Sequence, residues 1–141
     1  MGALTRLLLL FVFLLPLQHI YAQDDEAGEE GAVTPNASIY MDLKPAFVVN
    51  YGGVGKLRYL KTNITLRLES QGSASIRRHM PYIRHTLVML LSKSTDDDMS
   101  SMEGKELLRH NALEAVRALL VKEEGEHFVK DLLFSSFIVQ Q

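Results

Sequence analysis

The 141 residues contain no cysteine. That excludes a disulfide framework, a thiol nucleophile, a cysteine-held iron-sulfur cluster and a lipoprotein anchor together, so stability outside the cytoplasm has to come from packing. An excess of one charge is missing as well: 15 Lys and Arg stand against 17 Asp and Glu, for a formal net charge of −2. Five of those acids, Asp24, Asp25, Glu26, Glu29 and Glu30, crowd into one short stretch. The remainder is faintly basic, far from the concentrated positive field that nucleic acid requires, and no nucleic-acid partner is expected. Long apolar runs are absent too. Leu7 to Leu15 is unbroken, but it falls well short of the roughly 20 residues that span a bilayer core.

Catalytic and metal-binding signatures are equally scarce. Among His19, His79, His85, His110 and His127 no pair shows the i,i+4 spacing around a glutamate that a zinc-binding helix uses. Asp96, Asp97 and Asp98 are contiguous, whereas a calcium loop alternates its carboxylates with other residues; a solvated approach to a helix fits them better. The run Gly52-Gly53-Val54-Gly55-Lys56 lacks the Gly-Lys-Ser/Thr ending of a phosphate loop and leads into a strand pattern, so it reads as a hairpin turn. No Gly-x-Ser-x-Gly elbow occurs, and nothing in the sequence brings Ser135 or Ser136 to a histidine. The triplets beginning at Asn36 and Asn63 match the glycosylation pattern, which is too short to assign anything. The expectation is a protein that is not an enzyme and holds no cofactor and no metal.

What is present falls into three parts. Residues 1–22 carry one positive charge at Arg6, the apolar run, and Ile20-Tyr21-Ala22 ending in a small residue, the layout of a signal peptide cut after Ala22, with a short membrane anchor as the alternative. Either reading puts the rest of the chain on the exported side. Residues 23–37, rich in Asp, Glu, Gly and Ala, have almost nothing to bury and read as an acidic flexible tether. Residues 38–141 form the domain. Its first strand surrounds Pro45, with Phe47-Val48-Val49 as the paired part. Leu60, Thr62, Ile64, Leu66 and Leu68 alternate with polar residues and predict a strand with one buried face.

From Ile76 onward, Met80, Ile83, Leu87 and Leu90 recur at threes and fours, predicting a helix that Pro81 either kinks or begins. Ser100 and Glu103 form a capping-box signature for a second helix, whose stripe of Leu108, Ala112, Ala115 and Leu119 runs to Gly125. Phe128 to Val139 reads as a closing strand buried over much of its length. The order β-β-α-α-β defines an α+β domain: a small antiparallel-rich sheet with two helices packed on one face. On an uninterrupted helix Arg77, Arg78, Arg84 and His85 would make a positive ridge beside the apolar stripe, a candidate partner contact, or else a solvated face that keeps the domain soluble.

In this order the residues resemble the flagellar basal-body-associated protein FliL family. Tyr40-x-x-Leu43-x-Pro45, Asn50 and Arg58-Tyr59-Leu60 are similar to its N-terminal half; Pro81-x-Ile83-Arg84, Leu90-Leu91-Ser92 and Gly104-Lys105-x-x-Leu108-Arg109 to its helical middle; Phe134-Ser135-Ser136-Phe137-Ile138-Val139-Gln140 to its last strand. The resemblance implies a fold like the stomatin-type (SPFH) domain and a non-enzymatic motor component at the flagellar basal body, on the periplasmic side of the bacterial inner membrane. It further implies flagellar stator and basal-body proteins as partners, a homo-oligomeric ring, and a role in motility and in control of rotation during chemotaxis. The family's usual N-terminal membrane helix has only a short, cleavable-looking counterpart here. The alternative is therefore a soluble periplasmic envelope or binding module that shares the fold without a motor role.

Overall fold

Side-chain alternation builds a four-stranded antiparallel sheet from β1 (Ser38–Asp42), β2 (Phe47–Tyr51), β3 (Arg58–Glu69) and β4 (Val129–Gln140). The computed structural model describes residues 37–53, 55 and 58–140; the expected leader, and the expected tether apart from Ala37, lie outside them. β3 is central. β4 pairs with it from end to end, while on its other side β2 takes the first half and β1 the second. The first strand expected from the sequence is thus two, parted at Leu43–Ala46, where the Leu43 N-H still donates to the Ile64 carbonyl at 2.9 Å. Pro45, preceded by a cis peptide bond, has no N-H to offer a ladder, which is why the interruption falls on this edge. The Gly52 turn joins β2 to β3 as an antiparallel hairpin, as expected.

Leu60, Thr62, Ile64, Leu66 and Leu68 are all buried, on the face the alternation predicts. The opposite face stays open and exposes Tyr40, Val48, Tyr59 and Ile138. Thr65 departs from the pattern: it lies on the open face yet is only 9% exposed. Its hydroxyl donates to Asp42 Oδ1 at 2.7 Å and lies 3.4 Å from that of Ser135, where the β3–β4 register shifts.

Among the described residues four α-helices stand where two were expected: α1 (Ser73–Arg78), α2 (Met80–Ser92), α3 (Asp96–Ser100) and α4 (Met102–Glu124). Pro81 sits in the first turn of α2; its ring excludes the carbonyl four residues back, so a continuous helix through Arg77 is ruled out and the break comes at His79. Asp96, Asp97 and Asp98 are the first turn of α3. There Thr95 and Asp98 form a reciprocal capping box, and the acids meet the positive end of the helix. The cap of α4 is Ser101, which accepts from the Gly104 N-H at 2.9 Å, rather than the expected Ser100. Ser100 still belongs to α3, and α3 and α4 meet so closely that a Cβ on Gly104 would lie 2.4 Å from the Asp97 carbonyl oxygen. Gly125 ends α4 with φ +82°, a left-handed cap that glycine adopts without strain.

The helices cover one face of the sheet, and Ile76, Ile83, Leu87 and Leu91 join Leu108, Ala112, Leu113, Val116 and Leu120 in a single core with β2, β3 and β4. The stripe on α4 is broader than expected and is turned toward Val116 and Leu120, leaving Leu119 half-buried, because this helix packs on both β4 and α2. Only Val129 and Leu132 of β4 are fully buried. The strand is at an edge, with one face and one side open, so of the other apolar residues expected in the interior Leu133, Phe134, Phe137 and Val139 are half-covered and Ile138 is exposed. Among the described residues no helix is long and apolar enough to cross a membrane.

Candidate functional site

Two copies of one local pattern tie the longest helix to the last strand. Glu106-x-x-Arg109 and Glu114-x-x-Arg117 stand on α4, and each glutamate holds the guanidinium three residues on. Arg109 grips both oxygens of Glu106 and donates through Nη1 to Asp131 and to the Leu132 carbonyl, the latter at 3.1 Å. Arg117 donates from Nε to the Val129 carbonyl at 3.1 Å and from Nη2 to the Lys130 carbonyl at 2.9 Å. A planar fork suits this task, since one side chain can meet two acceptors in fixed directions. The Arg109 hydrogen bond holds the Glu106 carboxyl below the usual carboxylate range, and the same bond raises Arg109 above its ordinary value.

Arg84 does the same at the opposite edge. From α2 its Nη1 donates to the Leu43 and Pro45 carbonyls at 2.9 and 2.8 Å, and its guanidinium lies 4.1 Å from the centre of the Phe47 ring. The carbonyls freed where the chain leaves the ladder between β1 and β2 are thereby satisfied. The expected basic ridge is accordingly divided: Arg84 is engaged with the sheet edge, Arg78 is ion-paired with Glu124 at 3.0 Å, and the break at His79 separates the pair on α1 from the pair on α2. Arg77, whose described hydrogen bond is to Ser73 of its own helix, and His85 remain exposed. His79 donates from Nε2 to Glu124 at 2.7 Å, fastening the α1–α2 junction to the end of α4. That hydrogen bond, with help from Arg78, lowers the Glu124 carboxyl.

Arg58, at the start of β3, pairs with Asp96 in the first turn of α3. Beside the Arg109 clamp, the start of α4 and the free side of β4 enclose a groove of about 440 Å³. Met102, Leu133, Phe134 and Phe137 make its apolar lining, with Lys105, Glu106 and Arg109 along the rim. Lys105 lies 5.4 Å from the centre of the Phe137 ring. The Ser135 hydroxyl meets Thr65 and the Asn63 carbonyl, and among the described residues no three acidic, histidine or cysteine side chains gather as metal ligands. The groove thus offers an apolar surface rimmed by charge. Sequence reasoning missed the clamps, although the doubled Glu-x-x-Arg spacing was their signal.

Comparison with known proteins agrees with this frame. The family model described as flagellar basal body-associated protein FliL matches residues 40–140. The flagellar protein FliL of Aquifex aeolicus is 26% identical over 107 residues, which cover 75% of this chain and 64% of that relative, less than two thirds of its length. The flagellar protein FliL of Escherichia coli K12 is 28% identical over 123 residues, covering 86% of this chain and 76% of the relative, and that of Shigella flexneri gives the same figures. The match takes in three of the four strands and every α-helix described, and all of β1 but its first two residues, and the chain belongs to the flagellar basal body-associated FliL family.

Proposed function

We propose that the protein is a non-enzymatic component of the bacterial flagellar basal body that supports stator function, motility and the control of rotation during chemotaxis. The observation that carries this reading is the family match across residues 40–140. The architecture supports it: arginines bolt the helices to both sheet edges, giving the rigid body that a force-bearing assembly requires. On this proposal residues 1–22 are a signal peptide cut after Ala22 or a short anchor, residues 23–37 are a tether, and residues 38–141 work on the periplasmic side of the inner membrane. The domain would share the stomatin-type arrangement, assemble as a homo-oligomeric ring, and meet stator or basal-body proteins. Of the four ridge residues, Arg77, Arg78 and His85 have exposed side chains for such a contact, Arg78 while paired with Glu124, and Arg84 adds charge while serving the fold. Deleting the gene is expected to shrink swimming zones in soft agar, with restoration by the wild-type copy. Undiminished swimming and switching in the deletion strain would overturn the proposal.

A further inference from the structure

The two edges of the sheet are finished differently. On the β1–β2 side the edge is interrupted at Leu43–Ala46, carries Asp42, Lys44 and Pro45, and has its freed carbonyls taken by Arg84. On the β4 side Arg117 and Arg109 take the carbonyls of Val129, Lys130 and Leu132, and there the clamps end. From Leu133 to Gln140 no helix side chain bonds the strand among the described residues. That stretch has neither a charge nor a proline. The register shift at Ser135 turns it, but Ser136–Gln140 runs in unbroken register against Tyr59–Asn63. Folded proteins normally blunt such an edge with Lys, Pro or a cover, and the apolar groove opens beside this one.

We propose that the free part of β4 is a docking edge for an extended segment of another protein, one that adds a strand there, drops apolar side chains beside Phe134 and Phe137, and sets a carboxylate against Lys105. Strand addition supplies main-chain hydrogen bonds, and the pocket beside the edge supplies the choice of sequence. Charge decides against a second copy as the occupant. The groove's own acid, Glu106, and the nearby Asp131 are engaged by Arg109, whereas Lys105 has an aromatic neighbour and no carboxylate at ion-pair distance among the described residues. Pairing β4 with another β4 would bring a second uncompensated Lys105 and, from the groove lining, only a Glu106 already held by Arg109. The β1–β2 edge offers only five-residue pieces. An occupant bringing its own carboxylate fits the charge that is present.

The test is a display library of random decapeptides selected on the full-length chain. The expected consensus alternates apolar residues, contains Asp or Glu, and excludes proline. Met102→Asp and Lys105→Glu are suitable variants because Met102 is 88% exposed and Lys105 stands on the rim. The first is expected to weaken a selected peptide at least tenfold, and the second to reverse its preference for Glu over Lys. Amide exchange of Leu133–Gln140 is expected to slow when the peptide binds. A library without such a consensus, or peptides indifferent to both variants, would overturn the proposal. So would a concentration-dependent dimer that Met102→Asp dissolves and no selected peptide displaces, which would assign the groove to a second copy.

Discussion

Replacing Arg109 with alanine removes the clamp nearest the groove. The guanidinium contributes one bond to Asp131 and one to the Leu132 carbonyl, and a hydrogen bond with a charged partner adds roughly 1.5 to 3 kcal/mol. The side chain is 24% exposed, so water recovers part of that, and Asp131 keeps the Leu132 N-H at 2.9 Å and a distant Arg67 at 3.9 Å. The net loss should be on the order of 2 to 3 kcal/mol, enough to lower Tm by about 10 °C or more in a domain of this size. Lys at the same place keeps the charge without the fork and should fall between. Urea denaturation measures the loss, and hydrogen exchange should show β4 opening before β3. An Arg109→Ala protein within about 0.5 kcal/mol of wild type, with β4 amides unchanged, would refute the idea that the arginines hold this edge.

Leu66→Ala and Leu120→Ala should each lose about 2 to 5 kcal/mol while Leu119→Ala loses less; equal midpoints for Leu119 and Leu120 would show the α4 face to be misassigned. Thr65→Ala should lose about 1 to 2 kcal/mol, since it strips a buried hydroxyl from Asp42, and a neutral result would contradict that bond. Arg84→Glu should unfold at clearly lower denaturant than Arg77→Glu, because only Arg84 serves the sheet edge; matching midpoints would return Arg84 to the surface. Glu106 and Glu124 have lowered carboxyl values, so their contribution is complete above the unfolded value of about 4.3 and is lost as pH falls through the lower folded values. A stability profile of Glu124→Gln that retains the wild-type acid slope would argue against a role for that carboxylate.

Much of the frame was legible because it depends on local periodicity. Leu60 to Leu68 alternate and are buried as they alternate; Gly125 ends a helix where only a left-handed residue fits. The misses share a physical cause, which is that contacts between elements decide details that spacing leaves open. Ser100 is a good cap by sequence, but α3 claims it. Leu119 fits an ideal stripe, but α4 meets two neighbours and rotates its buried face. The basic ridge was drawn on a continuous helix, and Pro81 breaks that helix just where the phase mattered. Arg84 then turns out to bond carbonyls freed by an interruption, and no local pattern announces that interruption beyond Pro45. The groove was invisible for the same reason: Met102 and Phe137 are far apart in the chain and meet only when α4 lies along β4.

Work at the flagellar base is the central role proposed for this domain. A functional fluorescent fusion that folds in the periplasm, imaged in cells whose flagellar bases are independently marked, tests that most directly. The expected result is foci coincident with the bases that disperse when the stator proteins are removed. Uniform envelope fluorescence from a folded, abundant fusion, indifferent to flagella and stators alike, would contradict it.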